Sequence, residues 1–170
     1  EVGRAGSEFC RGVYEIRTSK EYDMVIVSSG GHPKDINLYQ AQKALASATP
    51  LVRQGGEIIL FAECPGGLGD ELFYQTMKKY RSPQDVVEGF RHQAFRMGLH
   101  KAFLWARSLI KAQVYLHSAL EEAVAYKLLV LPVKNVEALL GSMKAKYVHP
   151  PQIAIIPKGN STYIRPRGQA

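Results

Sequence analysis

The chain has 170 residues, 46% of them hydrophobic and 22% charged, with a formal net charge of +7. That length holds one ordinary domain with a sizeable core, and the composition excludes a disordered or repetitive chain. No apolar run approaches the ~18 residues that a membrane-spanning helix needs. The basic residues do not mark a nucleic-acid binder. Lys78, Lys79 and Arg81, then Lys144 and Lys146, then Arg165 and Arg167 form small separate groups without interleaved aromatic rings, whereas single-strand binders combine a basic groove with stacking platforms.

In chain order, the opening EVGRAGSEFC shows no signal-peptide pattern and reads as the continuation of something earlier, so the chain is expected to be a fragment. Residues 1–11 are expected to be irregular. Cys10 and Cys64 have no metal-ligand or redox spacing, and a reduced, cytoplasmic protein is the expectation. GVYEIRT (12–18) is a candidate strand. YDMVIVSS (22–29) is an apolar, β-branched run of the kind buried in parallel sheets. A helix is predicted over 35–49, because Leu38, Ala41, Leu45 and Ala48 form one apolar stripe, with Asp35 as its expected N-cap. In VRQGGE, Gly55 reads as a helix C-cap ahead of a buried strand, GEIILFAE (56–63).

Further helices are predicted over 70–80 (Asp70 its N-cap), 83–95, 98–111, 119–127 and 134–146. Strands are predicted at QVYLHS (113–118), more weakly at KLLVLPV (127–133), and at QIAIIPK (152–158). Residues 160–170 read as a final hairpin strand or a frayed end. Strands alternating with helices predict a single three-layer α/β domain over 1–170, a mostly parallel open sheet with helices on both faces, Rossmann-like in type.

Ligands of such sheets sit beyond the carboxyl ends of the strands. Two Gly-rich loops lie there, SSGGHPKD and ECPGGLGD, each leading into a helix whose first-turn N–H groups suit an anion. Neither matches a dinucleotide or P-loop fingerprint, and both read equally well as tight turns that need positive φ. Tyr39, Gln40 and Lys43 sharpen the first loop. Helical spacing brings a phenol, an amide and an ammonium together on the flank of the apolar stripe, a set suited to a carboxylate and also compatible with a plain solvated face.

GGHPKDINLYQAQKAL, followed by GGEIILFAECPGGLG and then GLHKAFLWAR, closely resembles the C-terminal domain of the nickel-dependent lactate racemase family. The resemblance covers about residues 20–112, and 113–170 fit the fold without a matching motif. It implies an isomerase that racemises or epimerises 2-hydroxy acids by hydride transfer to a nickel-pincer mononucleotide. It further implies that an N-terminal domain carries the cofactor tether, the metal ligand and the acid/base histidines. On this resemblance Gln40 and Lys43 bind the substrate carboxylate, and Tyr39 lines the pocket near the cofactor. Trp105 is either the family's cofactor-proximal tryptophan or a core residue.

The remaining candidates stay open. Gly30, Gly31 and His32 lie in the rim loop, where His32 reads as loop packing or as support behind the pocket. His100 and Lys101 either start a helix or complete the pocket. Glu63 either accepts from a loop amide or ion-pairs with Lys43. His32, His92, His100, His117 and His149 show no metal-ligand spacing, so no metal or bound cofactor is expected on this chain alone, which should be catalytically inert. The alternative is a stand-alone Rossmann-like module that binds a small anion or nucleotide without chemistry. No nucleic-acid or membrane partner is expected, and oligomeric state is not legible.

Overall fold

A computed structural model describes residues 2–91 and 99–166. Its centre is a five-stranded sheet, all parallel, built from β2 (Tyr22–Ser28), β3 (Val52–Phe61), β4 (Ala112–His117), β5 (Leu131–Pro132) and β6 (Ile153–Ile156). The order is β5-β4-β3-β2-β6. The chain therefore works outward from β2 in one direction and returns to its other side with β6. The carboxyl end of β2 is thus the topological switch point, where open sheets leave a crevice for ligands. The fold class read from the sequence is the one observed.

Alternate residues of the central strands face opposite layers, as strand geometry requires. Val25, Val27, Ile58, Leu60, Val114 and Leu116 point into the larger core. There they meet α2 (Leu38–Ala48), α3 (Glu71–Met77), α5 (Leu99–Lys111) and residues of α4 (Pro83–Arg91) and α6 (Glu122–Lys127). Met24, Ile59 and Tyr115 face the other layer, under Met143 of α7 (Val136–Lys146). On that side Ile153 and Ile155 of β6 remain exposed. Both faces carry helices, very unequally.

Several boundaries depart from expectation. Residues 2–14, expected irregular or partly strand, form α1 (Val2–Tyr14), and β1 is confined to Glu15–Thr18. The tail is no hairpin: β7 (Tyr163–Pro166) pairs in parallel with β1 in a second, two-stranded sheet. Gly55 is not a helix cap. It lies inside β3 with φ +72°, where the pairing of β2 with β3 slips between Tyr22 and Met24, so its left-handed backbone serves a bulge. The helix instead stops at Thr49, whose hydroxyl donates to Leu45 O at 2.7 Å. The strand expected over 127–133 shrinks to Leu131–Pro132. Positions 92–95 and 98 of two predicted helices, with His92, lie outside the described residues, as do residues 1 and 167–170.

A single 3₁₀ turn, Gly159–Ser161, closes the crevice beyond β6. Gly159 is buried, and a Cβ there would stand 2.6 Å from Val27 Cγ2 and 2.8 Å from Ala44 Cβ. Gly159→Ala should therefore cost about 1–3 kcal/mol through overpacking, read as a lower melting temperature. Gly31 has open space but φ +76°, so Gly31→Val should lose about 1–3 kcal/mol through backbone strain. An unchanged melt would contradict either account.

At the opposite end of the sheet, Asp23 accepts from Arg53 Nε at 2.7 Å and from the Gln152 amide at 2.8 Å. The Arg53 hydrogen bond, then the Gln152 amide, hold the Asp23 carboxyl below its usual range. A lowered folded pKa means the stabilisation is present above the unfolded value and is lost as pH falls through the folded one. An acid-melting series should show Asp23→Asn less stable than wild type near neutrality, the two converging at low pH.

Candidate functional site

The rim is built from two loops that lock together. The loop after β3 lies against the loop after β2: Cys64 N donates to Asp35 O at 3.0 Å and Gly66 N to Ile36 O at 2.7 Å. The same loop seats the start of α2, where Leu38 N donates to Gly67 O (3.0 Å) and Tyr39 N to Leu68 O (3.1 Å). Gln40 N donates to the Asn37 side chain at 3.0 Å. Asn37, not Asp35, is thus the N-cap; the expected cap at Asp70 is present and accepts from Phe73 N at 2.7 Å.

The expectation that the first-turn amides of α2 are free to hold an anion is overturned. Those donors are already satisfied by the protein, so an anion at the start of α2 would fall to the side chains there.

Those side chains are gathered. Lys43 Nζ donates to Gln40 Oε1 at 2.7 Å. Lys101, from the first turn of α5, sits with its Nζ 4.7 Å from the centroid of the Tyr39 ring, a cation–π distance. Burial first, and the neighbouring Lys43 second, pull the Lys101 ammonium below its ordinary range. Among the described residues neither lysine has a carboxylate within ion-pair reach. The ion pair considered between Glu63 and Lys43 is therefore not formed; Glu63 is exposed, and its carbonyl accepts from Ala119 N at 2.9 Å. The cluster is cationic and, among the described residues, uncompensated.

The other candidates fall as follows. Gly30 takes φ +97° and Gly31 φ +76°, and Gly30 lies against Lys158. His32 is exposed on the loop and His100 half-buried beside Lys101. Trp105 is fully buried. Its indole N–H donates to Leu128 O at 2.9 Å and its ring meets Phe73 edge-on at 5.9 Å. With no surface of its own, it packs the core. Cys64, at the base of the rim, is buried with φ +57°; burial, then the Asp35 and Glu63 charges, push its thiol up to about 12.

Sequence reasoning missed Asn160. Its side-chain amide donates to Lys34 O at 3.0 Å and to Gln40 O at 3.2 Å, tying the rim loop to α2, while Lys34 Nζ reaches Ser161 Oγ. Only the three-dimensional return of β6 to the switch point reveals this. Asn37 was detectable: an Asn directly before the first periodic apolar residue, with Gln three positions on, is a helix-start pattern.

An open groove of about 1350 Å³ runs between α1, α2 and β7, lined by Arg11, Tyr14, Lys43, Asn160 and Arg165 among others. Of the four cluster residues only Lys43 borders it. Among the described residues no group of His, Cys, Asp and Glu could hold a metal, and no helix is long and apolar enough to cross a membrane.

Fold and site together define a parallel α/β domain that presents a cationic side-chain cluster at its switch point. Residues 17–164 match the family model described as the lactate racemase C-terminal domain. The chain belongs to that family. It is 32% identical over 162 residues to the lactate racemase of Thermoanaerobacterium thermosaccharolyticum, covering 92% of this chain and 38% of that protein. It is 35% identical over 66 residues to the lactate racemase of Lactiplantibacillus plantarum, covering 39% and 16%. The structure of the T. thermosaccharolyticum lactate racemase apoprotein superposes with a TM-score of 0.88 at 29% identity, over 96% of this chain and 40% of that one. A Thermotoga maritima crystal structure shares the fold at a TM-score of 0.61 and 12% identity, over 96% of this chain and 41% of that one. This chain spans about two fifths of the length of the T. thermosaccharolyticum lactate racemase.

Replacing Asn37 by Ala should remove the cap and cost about 1 kcal/mol, measured by denaturant unfolding. Because the first turn carries Tyr39 and Gln40, their backbone amides should also exchange faster with solvent.

Proposed function

We propose that this chain is the substrate-binding, C-terminal part of a racemase or epimerase that inverts C2 of a 2-hydroxy acid. Gln40 and Lys43 hold the substrate carboxylate: the ammonium supplies charge, and the amide, by keeping Lys43 Nζ at 2.7 Å, fixes its direction. Tyr39 lines the pocket. The observation that carries this reading is the uncompensated Lys43–Gln40 pair on a helix whose first turn is fixed by three hydrogen bonds from the protein itself. Pinning the carboxylate fixes where the α-carbon points, which is catalysis by positioning.

The described residues of this chain do not fit a nickel ion, since no cluster of ligating side chains is present among them. The nickel-pincer nucleotide and the acid/base groups therefore belong, in this proposal, to an N-terminal racemase domain, and no step is assigned to them here. The chain alone is inert. The competing reading, a nucleotide-phosphate module, loses its principal support, because the α2 amides that would cradle a phosphate are already bonded.

The test uses a protein that carries this chain together with its N-terminal domain and cofactor. Deuterium exchange at C2 is followed across a panel of 2-hydroxy acids. Lys43→Ala should raise KM and depress kcat together, and Gln40→Ala should do the same less severely, as neutral hydrogen bonds are weaker than charge-assisted ones. Full activity in Lys43→Ala would remove the anchor role.

A further inference from the structure

We propose that Lys101 is a second anion-binding ammonium of this site, so that a bound carboxylate is bridged between Lys43 on α2 and Lys101 on α5, beside the Tyr39 ring. The proposal rests on the reading of Gln40 and Lys43 as carboxylate anchors and adds a residue from a separate helix.

The contrast with other lysines motivates it. Lys111, at the far end of the same helix, pairs with Glu21 at 3.1 Å, and Lys146 pairs with Glu57 at 3.2 Å. Lys101 is half-buried and, among the described residues, has only the Tyr39 ring beneath it. An aromatic face attracts a cation but carries no net charge. The loss of water around the ammonium and, after it, the repulsion from Lys43 still disfavour the charged form. Gln40 Oε1 is already engaged by Lys43. Lys101 Nζ thus stands over the ring of Tyr39, one helical turn before Lys43, and the space beside the two lysines receives no carboxylate from the described part of the chain. A carboxylate entering it would satisfy both and reverse the repulsion. The chemical class is a small carboxylate with an adjacent hydroxyl, able to place its two oxygens on the two lysines.

A core lysine kept for packing would behave differently on substitution. Removing the charge from an anion site forfeits binding while relieving an unfavourable burial, the usual opposition between function and stability. The experiment is an amide NMR titration of the 170-residue chain with glycolate, against sodium chloride at matched ionic strength, alongside thermal melts. Wild type should give saturable shifts at Tyr39, Gln40 and Lys43. Lys101→Met should weaken glycolate by about tenfold, the loss expected for a charge-assisted bond, without lowering the melting temperature. Lys101→Arg should keep most of the binding.

If Lys43→Met abolishes binding and Lys101→Met leaves it unchanged, the role of Lys101 is overturned and the anchors stand. No saturable response in wild type, or none lost in Lys43→Met, overturns both. A marked drop in melting temperature for Lys101→Met and Lys101→Arg alike makes Lys101 structural and also overturns it.

Discussion

The site depends on how the first turn of α2 is seated. A helix begins with backbone donors that have no partner within the helix, and here the carbonyls of Gly67 and Leu68 with the Asn37 side chain take three of them. The second rim loop is consequently part of the helix start rather than a separate flap. Anything that displaced residues 64–68 would expose those amides and release the turn that carries Tyr39 and Gln40. Fixing the turn in this way uses up the donors that helix starts commonly offer to anions. In the function proposed for the site, recognition falls to the side chains instead, with the helix dipole remaining as a background field.

With Gln40, Lys43 and Lys101 in the roles proposed for them, that arrangement would suit a small carboxylate better than a phosphate chain. A cradle of amides grips several oxygens at once, whereas an amide and two ammoniums on two helices define a short span. Both helices pack on the same core face, against Val25, Val27, Ile58 and Leu60. Their relative position is therefore set by close-packed apolar contacts, which tolerate little drift. The 3₁₀ turn at Gly159–Ser161 adds a polar tie on the remaining side through Asn160.

How much of this was legible in the sequence follows from the range of each interaction. The apolar runs that became β2 and β3, the stripe of α2 and the Asp70 cap are local signals, and each element is present, although β3 runs over Val52–Phe61 rather than 56–63 and α2 starts at Leu38 rather than 35. α1 was not legible, since Gly3, Gly6 and Gly12 lower its intrinsic helix propensity. Gly55 was misread because positive φ serves a bulge as well as a helix end. Asp35 looked like a cap by residue type, but Asn37 has the position. Contacts between distant segments left no local trace. The Lys101–Tyr39 stack, the Asn160 tie and the parallel pairing of β1 with β7 join residues from far apart in the chain. Trp105, legible as an aromatic on an amphipathic helix, is placed by its fully buried bond to Leu128.

The two cysteines have opposite surroundings, and this gives the domain a chemical asymmetry. Thiols react as thiolates. Cys64, buried and shifted to about 12, stays protonated wherever the fold is intact. Cys10 lies exposed on α1 along the groove that Lys43 borders. A maleimide dye or spin label added to the native chain would therefore attach at one defined place without any engineered mutation. It would report from the flank of the cluster, leaving the rim loops unmodified.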